Sequence, residues 1–178
     1  MNRERIENAL AELPLYGYFW ISPGDLEYSQ RIRWICQNEC PMYGKTWACP
    51  PGVGSVEECQ KRCMSYEGCL MVATVTQVKD ISDLEETLAT RGDHEAVSDQ
   101  AAEILRREGL EVYTLSTEAC AICDRCAILD GEPCRHPERM HPCVESHGIV
   151  LSRVAEENGM PFQYGDNVVT WFSLLFYR

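Results

Sequence analysis

The stretch EVYTLSTEACAICDRCAILDGEPC at residues 111–134 combines the two features that recur along this sequence, a β-strand and closely spaced cysteines. Residues 111–117 are predicted to form a strand, and the cysteines begin directly after it. Three thiols follow at two-residue spacing, with one more after a longer gap: Cys120, Cys123, Cys126 and Cys134. The sequence therefore predicts a metal-binding loop attached to a sheet.

The spacing of these four cysteines favours an iron–sulfur cluster. Two-residue spacers let a turning backbone deliver three thiolates to a [4Fe–4S] cluster, which needs one thiolate per iron. The alternative is a structural zinc site, although zinc sites usually pair two groups of two cysteines. The last gap is longer than in the ferredoxin run, so Cys134 is the least constrained of the four ligands.

A second cysteine block lies nearer the N-terminus and contains Cys36, Cys40 and Cys49. Proline and glycine make residues 40–54 irregular, and such backbone can wrap around a cluster and point its amides at it. The block supplies three thiolates, so a fourth ligand must come from elsewhere or one iron stays open to a small molecule.

The fourth ligand of this block is predicted to come from the helix that follows it. Ser55 and Glu58 form a predicted capping box for a helix over about residues 56–66, which places Cys59 and Cys63 on one helix face. We expect Cys59 or Cys63 to complete the site. Cys69 is also close in sequence, and any of these thiols can alternatively pack as a small buried hydrophobe.

The remaining pattern predicts an α+β fold, a single domain over residues 1–178 with a small mixed sheet, helices, and cysteine-rich loops in the connections. The metal-binding blocks cover about 36–69 and 120–143. Periodicity and turn signals predict helices over 2–13, from Ser82 towards Gly109, and over 144–158, and strands over 31–35, 70–78 and 167–177.

Charge and cysteine content exclude several classes of function. The net charge of -12 opposes nucleic-acid binding, and no apolar run approaches the ~20 residues that span a bilayer. The charged N-terminus is not a secretory signal, so we expect a cytoplasmic protein. An odd count of 11 cysteines argues against a closed disulfide framework and for metal ligation.

Three segments of the sequence resemble a known family. They are CQNECPMYGKTWACPP at 36–51, CAICDRCAILDGEPCRHPERMHPCVESHGI at 120–149 and GDNVVTWFSLLFY at 165–177. Together they resemble the cysteine-rich family called domain of unknown function 2284, described as predicted metal-binding proteins. The resemblance implies metal binding and no named reaction. The chain departs from the family pattern by its Cys143, where a small serine is expected, and by its extra Cys63 and Cys69.

Several other side chains could serve a metal site. Arg135, His136 and Lys45 lie beside cysteines and could tune a cluster or remain solvated, while Trp34, Trp47 and Tyr43 could shield it from water or simply pack. His141 and His147 could ligate metal, but His147 is expected at the surface or at a helix start.

Two classes of function remain, with a third as a further alternative. The first is an electron-transfer protein with two [4Fe–4S] clusters and a redox partner protein. The second is a reductive or sulfur-transfer enzyme that acts on a small-molecule substrate at an incompletely ligated cluster. The third is a zinc-binding structural or metal-delivery protein. The familiar hydrolase and nucleotide-binding motifs are absent from the sequence. No reaction is therefore indicated, and the sequence does not decide whether the chain is an enzyme. We expect the two cysteine blocks to behave as independent sites.

Overall fold

The computed structural model describes residues 1–162 and 165–178. Its helices are α1 (Arg3–Leu10), α2 (Gln30–Asn38), α3 (Val56–Cys63), α4 (Leu84–Ala89), α5 (Arg91–Arg107) and α6 (Leu151–Glu157). Its strands are β1 (Gly17–Ile21), β2 (Gly68–Gln77), β3 (Val112–Leu115) and β4 (Val168–Tyr177). None of the described helices is long and apolar enough to cross a membrane.

The strands form one sheet in the order β1-β2-β4-β3, and every neighbouring pair is antiparallel. The predicted α+β class is confirmed, while the sheet is antiparallel where a mixed one was expected. The two long strands lie at its centre, with Gly68 opposite Tyr177 and Gln77 opposite Val168. Their near-continuous apolar sequence fits strands that are covered on both faces.

Each face of the sheet has its own apolar core. On one face, Ile6 and Leu10 of α1 and Leu105 of α5 pack against Leu70 and Leu175. The opposite face is covered by α6 together with the segment after the second cysteine block; its core includes Met71, Phe172, Leu174, Val144, Ile149, Val154 and Cys63. Cys63 and Val144 are therefore anchored on this face of the sheet.

The predicted strand over residues 31–35 is wrong, because these residues belong to α2. The Ser29 side chain caps the helix by accepting a hydrogen bond from the backbone N–H of Arg31. No residue of α2 is fully buried, and Trp34 and Ile35 are exposed. Because α2 has no buried apolar stripe, its sequence lacks the periodicity that indicates a helix. The alternation of Ile32 and Trp34 with the arginines instead matches the pattern of a strand.

The helix predicted over 144–158 is only partly present. Residues Glu145–His147 form a single 3-10 turn, and α6 begins at Leu151. Gly148, with φ +76°, ends the turn, and a Cβ at this position would lie 2.9 Å from the Val56 side chain. The glycine therefore separates two short helical pieces.

The other predicted elements are present with shifted ends. The capping box of Ser55 and Glu58 is formed, and α3 ends at Cys63 rather than near residue 66. The N-cap of α4 is Asp83, one residue after the expected Ser82, because its carboxylate accepts bonds from the backbone N–H groups of Glu85 and Glu86. Helix ends commonly differ from sequence expectation by this much.

Candidate metal centres

Four cysteines line a cavity of about 380 Å³: Cys36, Cys40, Cys49 and Cys143. We call them the first cysteine set. Cys49 and Cys143 are buried, Cys36 is half-buried and Cys40 is exposed. A metal group held here would be shielded on one side and reachable from the other.

Local backbone structure delivers these four thiols to one place. Cys36 lies in the last turn of α2, and Cys40 follows directly after the helix. The next loop is closed by a hydrogen bond of 2.8 Å from the N–H of Gly44 to the carbonyl of Pro50, which positions Cys49.

Cys143 reaches this cavity through a backbone pairing with the end of β3. Ser116 donates to the carbonyl of Pro142 (2.8 Å) and accepts from the N–H of Val144 (3.0 Å), so Cys143 lies directly beside it. The N–H of Cys143 also donates to the carbonyl of Ala48, at 3.4 Å. These contacts hold Cys143 next to the loop that carries Cys49.

Burial dominates the electrostatics of the first cysteine set. It raises the pKa of the Cys36 thiol to about 11, and it also raises the pKa values of the Cys49 and Cys143 thiols. The thiols are therefore protonated at neutral pH without metal, and metal binding has to release those protons. The backbone N–H of Ser146 donates to Cys143 Sγ at 3.2 Å, which favours the thiolate form.

Two carboxylates lie beside the first cysteine set. Glu145 and Glu118 both line the cavity. The charge of Glu145 contributes to the raised pKa of the Cys36 and Cys143 thiols, and the charge of Glu118 contributes to that of Cys49. Glu118 is also the non-glycine residue with a positive φ, +57°, in the described chain. Such backbone strain is commonly stored at functional sites.

The second cysteine set consists of Cys120, Cys123, Cys126 and Cys134, which surround a tight space of about 20 Å³. All four are half-buried. A 3-10 turn over Ala127–Asp130 and the left-handed Gly131 turn the chain between Cys126 and Cys134. The four cysteines predicted from spacing thus line one common space.

Polar contacts hold the loop of the second cysteine set in shape. The Arg125 guanidinium pairs with Asp130 at 2.7 Å, and Arg135 Nη1 donates to the carbonyl of Arg125 at 2.8 Å. The indole N–H of Trp47 donates to the carbonyl of Glu132 at 3.0 Å, and Trp47 lines both this space and a neighbouring cavity. Arg135 therefore holds the loop in shape, and Trp47 lies against the second set.

The two sets are neighbours rather than remote sites. A charged Cys120 raises the pKa of the Cys49 thiol, which requires the two sulfurs to lie within electrostatic range of each other. A contact between the two loops also joins them, since the indole N–H of Trp47 donates to the carbonyl of Glu132. Centres held by these sets would influence each other.

Cys59 and Cys63 lie in a different place, together with Cys69. All three are fully buried between α3 and the sheet. Cys59 Sγ donates to the carbonyl of Val53 at 3.4 Å, and Cys63 packs in the core on one face of the sheet. The expected shared face of α3 is present, but it points into the core, and neither thiol is among the described residues that line the first cavity.

The potential ligand side chains of the described chain do not surround a single metal ion. In the described chain, no three His, Cys, Asp or Glu side chains converge closely enough to hold one metal ion. Four thiolates on one zinc ion stand about 3.8 Å apart, given Zn–S bonds of about 2.3 Å. A cluster carries each thiolate on a different iron, so its ligands stand further apart. Thiols are the donor groups of both zinc sites and iron–sulfur clusters.

The two histidines considered as ligands have other partners. His147 is fully buried, not at the surface as expected, and its ring nitrogens contact Tyr113 Oη (2.8 Å) and Ser146 Oγ (3.1 Å). Burial lowers its pKa to about 3, so it stays neutral. His141 Nε2 lies 2.9 Å from Asp99.

The other side chains proposed to serve a metal site lie either at the surface or beside one of the two cysteine sets. Lys45 and Trp34 are exposed, so Trp34 shields nothing, whereas Tyr43 lines the first cavity and His136 the second. The role of Cys143 as a neighbour of the first block was missed by sequence reasoning. Its departure from the family pattern was the available signal, but spacing could not assign it to either block.

Comparison with known proteins agrees with this picture. A family model described as "Predicted metal-binding protein (DUF2284)" matches residues 19–177, which is nearly the whole chain. No curated protein and no solved structure matches the sequence.

Proposed function

This chain belongs to the DUF2284 family of predicted metal-binding proteins, and from this premise we propose that it is an electron-transfer protein with two [4Fe–4S] clusters. One cluster is held by the second cysteine set and the other by the first, with Cys143 as its fourth ligand. The observation that carries the proposal is the position of Cys143 in the same cavity as Cys36, Cys40 and Cys49. It replaces Cys59 and Cys63 as the preferred fourth ligand.

Two further observations support clusters over zinc. The second cysteine set has three thiols at two-residue spacing, which is typical of ferredoxin loops and not of paired zinc knuckles. Two sets of four thiols match the ligand requirement of two cubane clusters.

When bound, such clusters accept and release single electrons at potentials set by charge, hydrogen bonds and solvent exposure. The chain's own residues supply those factors. The N–H of Ser146 stabilises negative charge on Cys143 Sγ, and Trp47 covers the second set. Exposed Cys40 leaves one edge of the first set open to solvent, where a redox partner can approach.

The arrangement suits transfer in series. The loops that carry the two sets are in contact through Trp47 and Glu132, and we expect an electron that enters at one cluster to pass to the other. The net charge of -12 favours a partner with a basic docking face.

The central experiment measures iron, acid-labile sulfide and zinc in anaerobically purified protein. We expect roughly eight irons per chain with matching sulfide. Cys143→Ser should lose or convert one cluster, while Cys69→Ser, a matched change at another buried cysteine, should keep both. Stoichiometric zinc without sulfide would instead support the structural or metal-delivery alternative.

One observation favours a second candidate function, an enzyme with an incompletely ligated cluster. The first cavity, at about 380 Å³, is far larger than the space of about 20 Å³ at the second set, and two carboxylates line it. If Cys143→Ser leaves the iron content unchanged and added cyanide shifts the EPR spectrum of the wild type, an iron of the first cluster is open to substrate. That result would support the enzyme over the electron carrier.

A further inference from the structure

A separate cavity of about 630 Å³ opens beside Cys134, between β3 and the loop of residues 133–142. We call it the edge cavity, because β3 is the last strand of the sheet. Small-molecule sites typically enclose about 300–1,000 Å³. The wall of this cavity could contact a ligand in three ways: through backbone groups of the strand edge, through charged side chains and through aromatic rings.

The free edge of β3 presents backbone groups to the edge cavity. Glu111 and Arg178 exchange both backbone hydrogen bonds, at 2.9 and 3.2 Å, so they form a hydrogen-bonded pair of the β3–β4 ladder. Because such pairs alternate along an antiparallel ladder, Val112 and Thr114 direct their N–H and C=O groups away from β4. Both residues line the edge cavity.

A proline explains why this edge is left open. Like Thr114, Ser116 directs its backbone N–H and C=O groups away from β4. These groups bond residues 142 and 144 in a parallel bridge. The next bond of that ladder would run from the N–H of residue 142 to the carbonyl of Thr114, but residue 142 is a proline and has no N–H. Within the described chain, the outward backbone groups of Thr114 have no hydrogen-bond partner.

The edge cavity also carries two arginine side chains whose positive charge is only partly offset by acidic residues. Arg62 and Arg106 both line it. In the described chain Arg62 makes no ion pair with a carboxylate, and the contact of Arg106 with Glu103 is long, at 4.0 Å. Glu138 lines the same cavity and opposes them. Two such arginines in a chain of net charge -12 indicate a place for an anion.

We propose that the edge cavity binds a small carboxylate that also contains an amide group, of the size of an N-acylated amino acid or a dipeptide. The amide pairs with the backbone of Thr114 in the place of the missing strand, and the carboxylate meets Arg106 and Arg62. A flat substituent packs on Trp47, which also lines the cavity. The open edge is too short for a longer strand, because Ser116 at one end is already paired and the N–H of Leu110 at the other end donates to the carbonyl of Leu105.

The test is calorimetric titration of the purified metal-bound protein with hippurate (N-benzoylglycine), which has the ring, the amide and the carboxylate. We expect saturable binding that weakens at least tenfold in Arg106→Gln and is unchanged in Arg107→Gln. Arg107 is the matched control, since it is exposed on the same helix and does not line the cavity. N-benzoylglycinamide, without the carboxylate, should bind more weakly than hippurate.

A third variant guards against an effect of misfolding. Glu138→Gln removes the opposing carboxylate and should tighten hippurate binding, which a damaged fold cannot do. The proposal is overturned if hippurate shows no saturable binding up to about 10 mM, or if Arg106→Gln binds it like the wild type. Iron, sulfide and zinc measured in the same samples separate this result from the proposed function, because saturable hippurate binding can be scored whichever metal the centres hold.

Discussion

Arg33 is a part-buried cation without an acidic partner, and it lies between the first cysteine set and the core. Its guanidinium donates to the carbonyls of Gly54 (2.7 Å) and Ser146 (2.6 Å), and Nη2 lies 3.9 Å from Cys59 Sγ. Its Nε is buried without a partner, and no carboxylate lies within ion-pair distance in the described chain. The charge of Arg33 opposes the burial that raises the pKa of Cys36, so it stabilises negative charge there.

Replacing Arg33 should therefore change the potential of the first cluster. We expect Arg33→Gln to lower the midpoint potential, because loss of a cation disfavours the more negative reduced state. An interaction of about 1–2 kcal/mol between this cation and the added electron corresponds to a shift of roughly 40–90 mV. Potentiometric EPR titration measures the shift.

Two control variants separate charge from structure at this position. Arg33→Lys keeps the charge but not the paired carbonyl contacts, so it should lower the melting temperature while the potential stays near that of the wild type. Arg31→Gln, on the exposed part of α2, should change neither. Equal potentials in Arg33→Gln and the wild type would contradict this role for Arg33.

At the scale of secondary-structure elements, a buried histidine fixes α5 to the centre of the sheet. His94 Nδ1 contacts Thr74 Oγ1 of β2 at 2.9 Å, and Nε2 contacts Ser173 Oγ of β4 at 2.8 Å. Its side chain is buried, and burial lowers its pKa to about 4. The histidine is therefore neutral in the folded protein at neutral pH.

This histidine should make the fold sensitive to mild acid. Below a pH of about 6.5 the unfolded chain binds a proton at His94, whereas the folded chain does not bind it until the pH falls to about 4. The free energy of unfolding therefore decreases as the pH falls through this range. From pH 7 to pH 5 the loss is about 2 kcal/mol. Urea unfolding should show a smaller loss in His94→Gln than in the wild type. An identical pH dependence in the two proteins would argue against a neutral, buried His94.

At the scale of the whole molecule, the two cysteine sets are adjacent, and this changes the expected outcome of removing one. We expect Cys123→Ser to lose about four irons and to keep the first cluster. Because Cys49 and Cys120 interact, the remaining cluster should show an altered potential and lose any spin coupling seen in the reduced wild type. Asp124→Asn, an exposed change in the same loop, is the control. An unaltered first cluster would support the independence expected from the sequence.

Metal removal should loosen the cysteine loops before it affects the sheet. Residues 39–54 and 117–143 contain little regular secondary structure, so metal ligation is expected to order them. After chelation, trypsin should cut rapidly after Lys45, Arg125 and Arg139, which are exposed in these loops. Cleavage after Arg107, at the end of α5, should change little. Equal rates at all sites before and after chelation would show that metal does not order the loops.

The sequence by itself determined the features that depend on neighbouring residues. The spacing of Cys120, Cys123 and Cys126, the capping box at Ser55 and the long apolar strand near the C-terminus are local patterns, and the structure contains each of the predicted elements. Local pattern failed for α2, whose exposed surface has no apolar stripe to reveal a helix.

Only the tertiary structure decided which distant residues meet. Cys143 joins the first cysteine set because the end of β3 pairs with residues 142–144, and backbone pairing of this kind leaves no trace in cysteine spacing. Cys59 and Cys63 share a helix face as predicted, but the direction of that face depends on how α3 packs against the sheet. The edge cavity likewise arises from one proline placed beside a strand, which becomes visible only when the two segments are side by side.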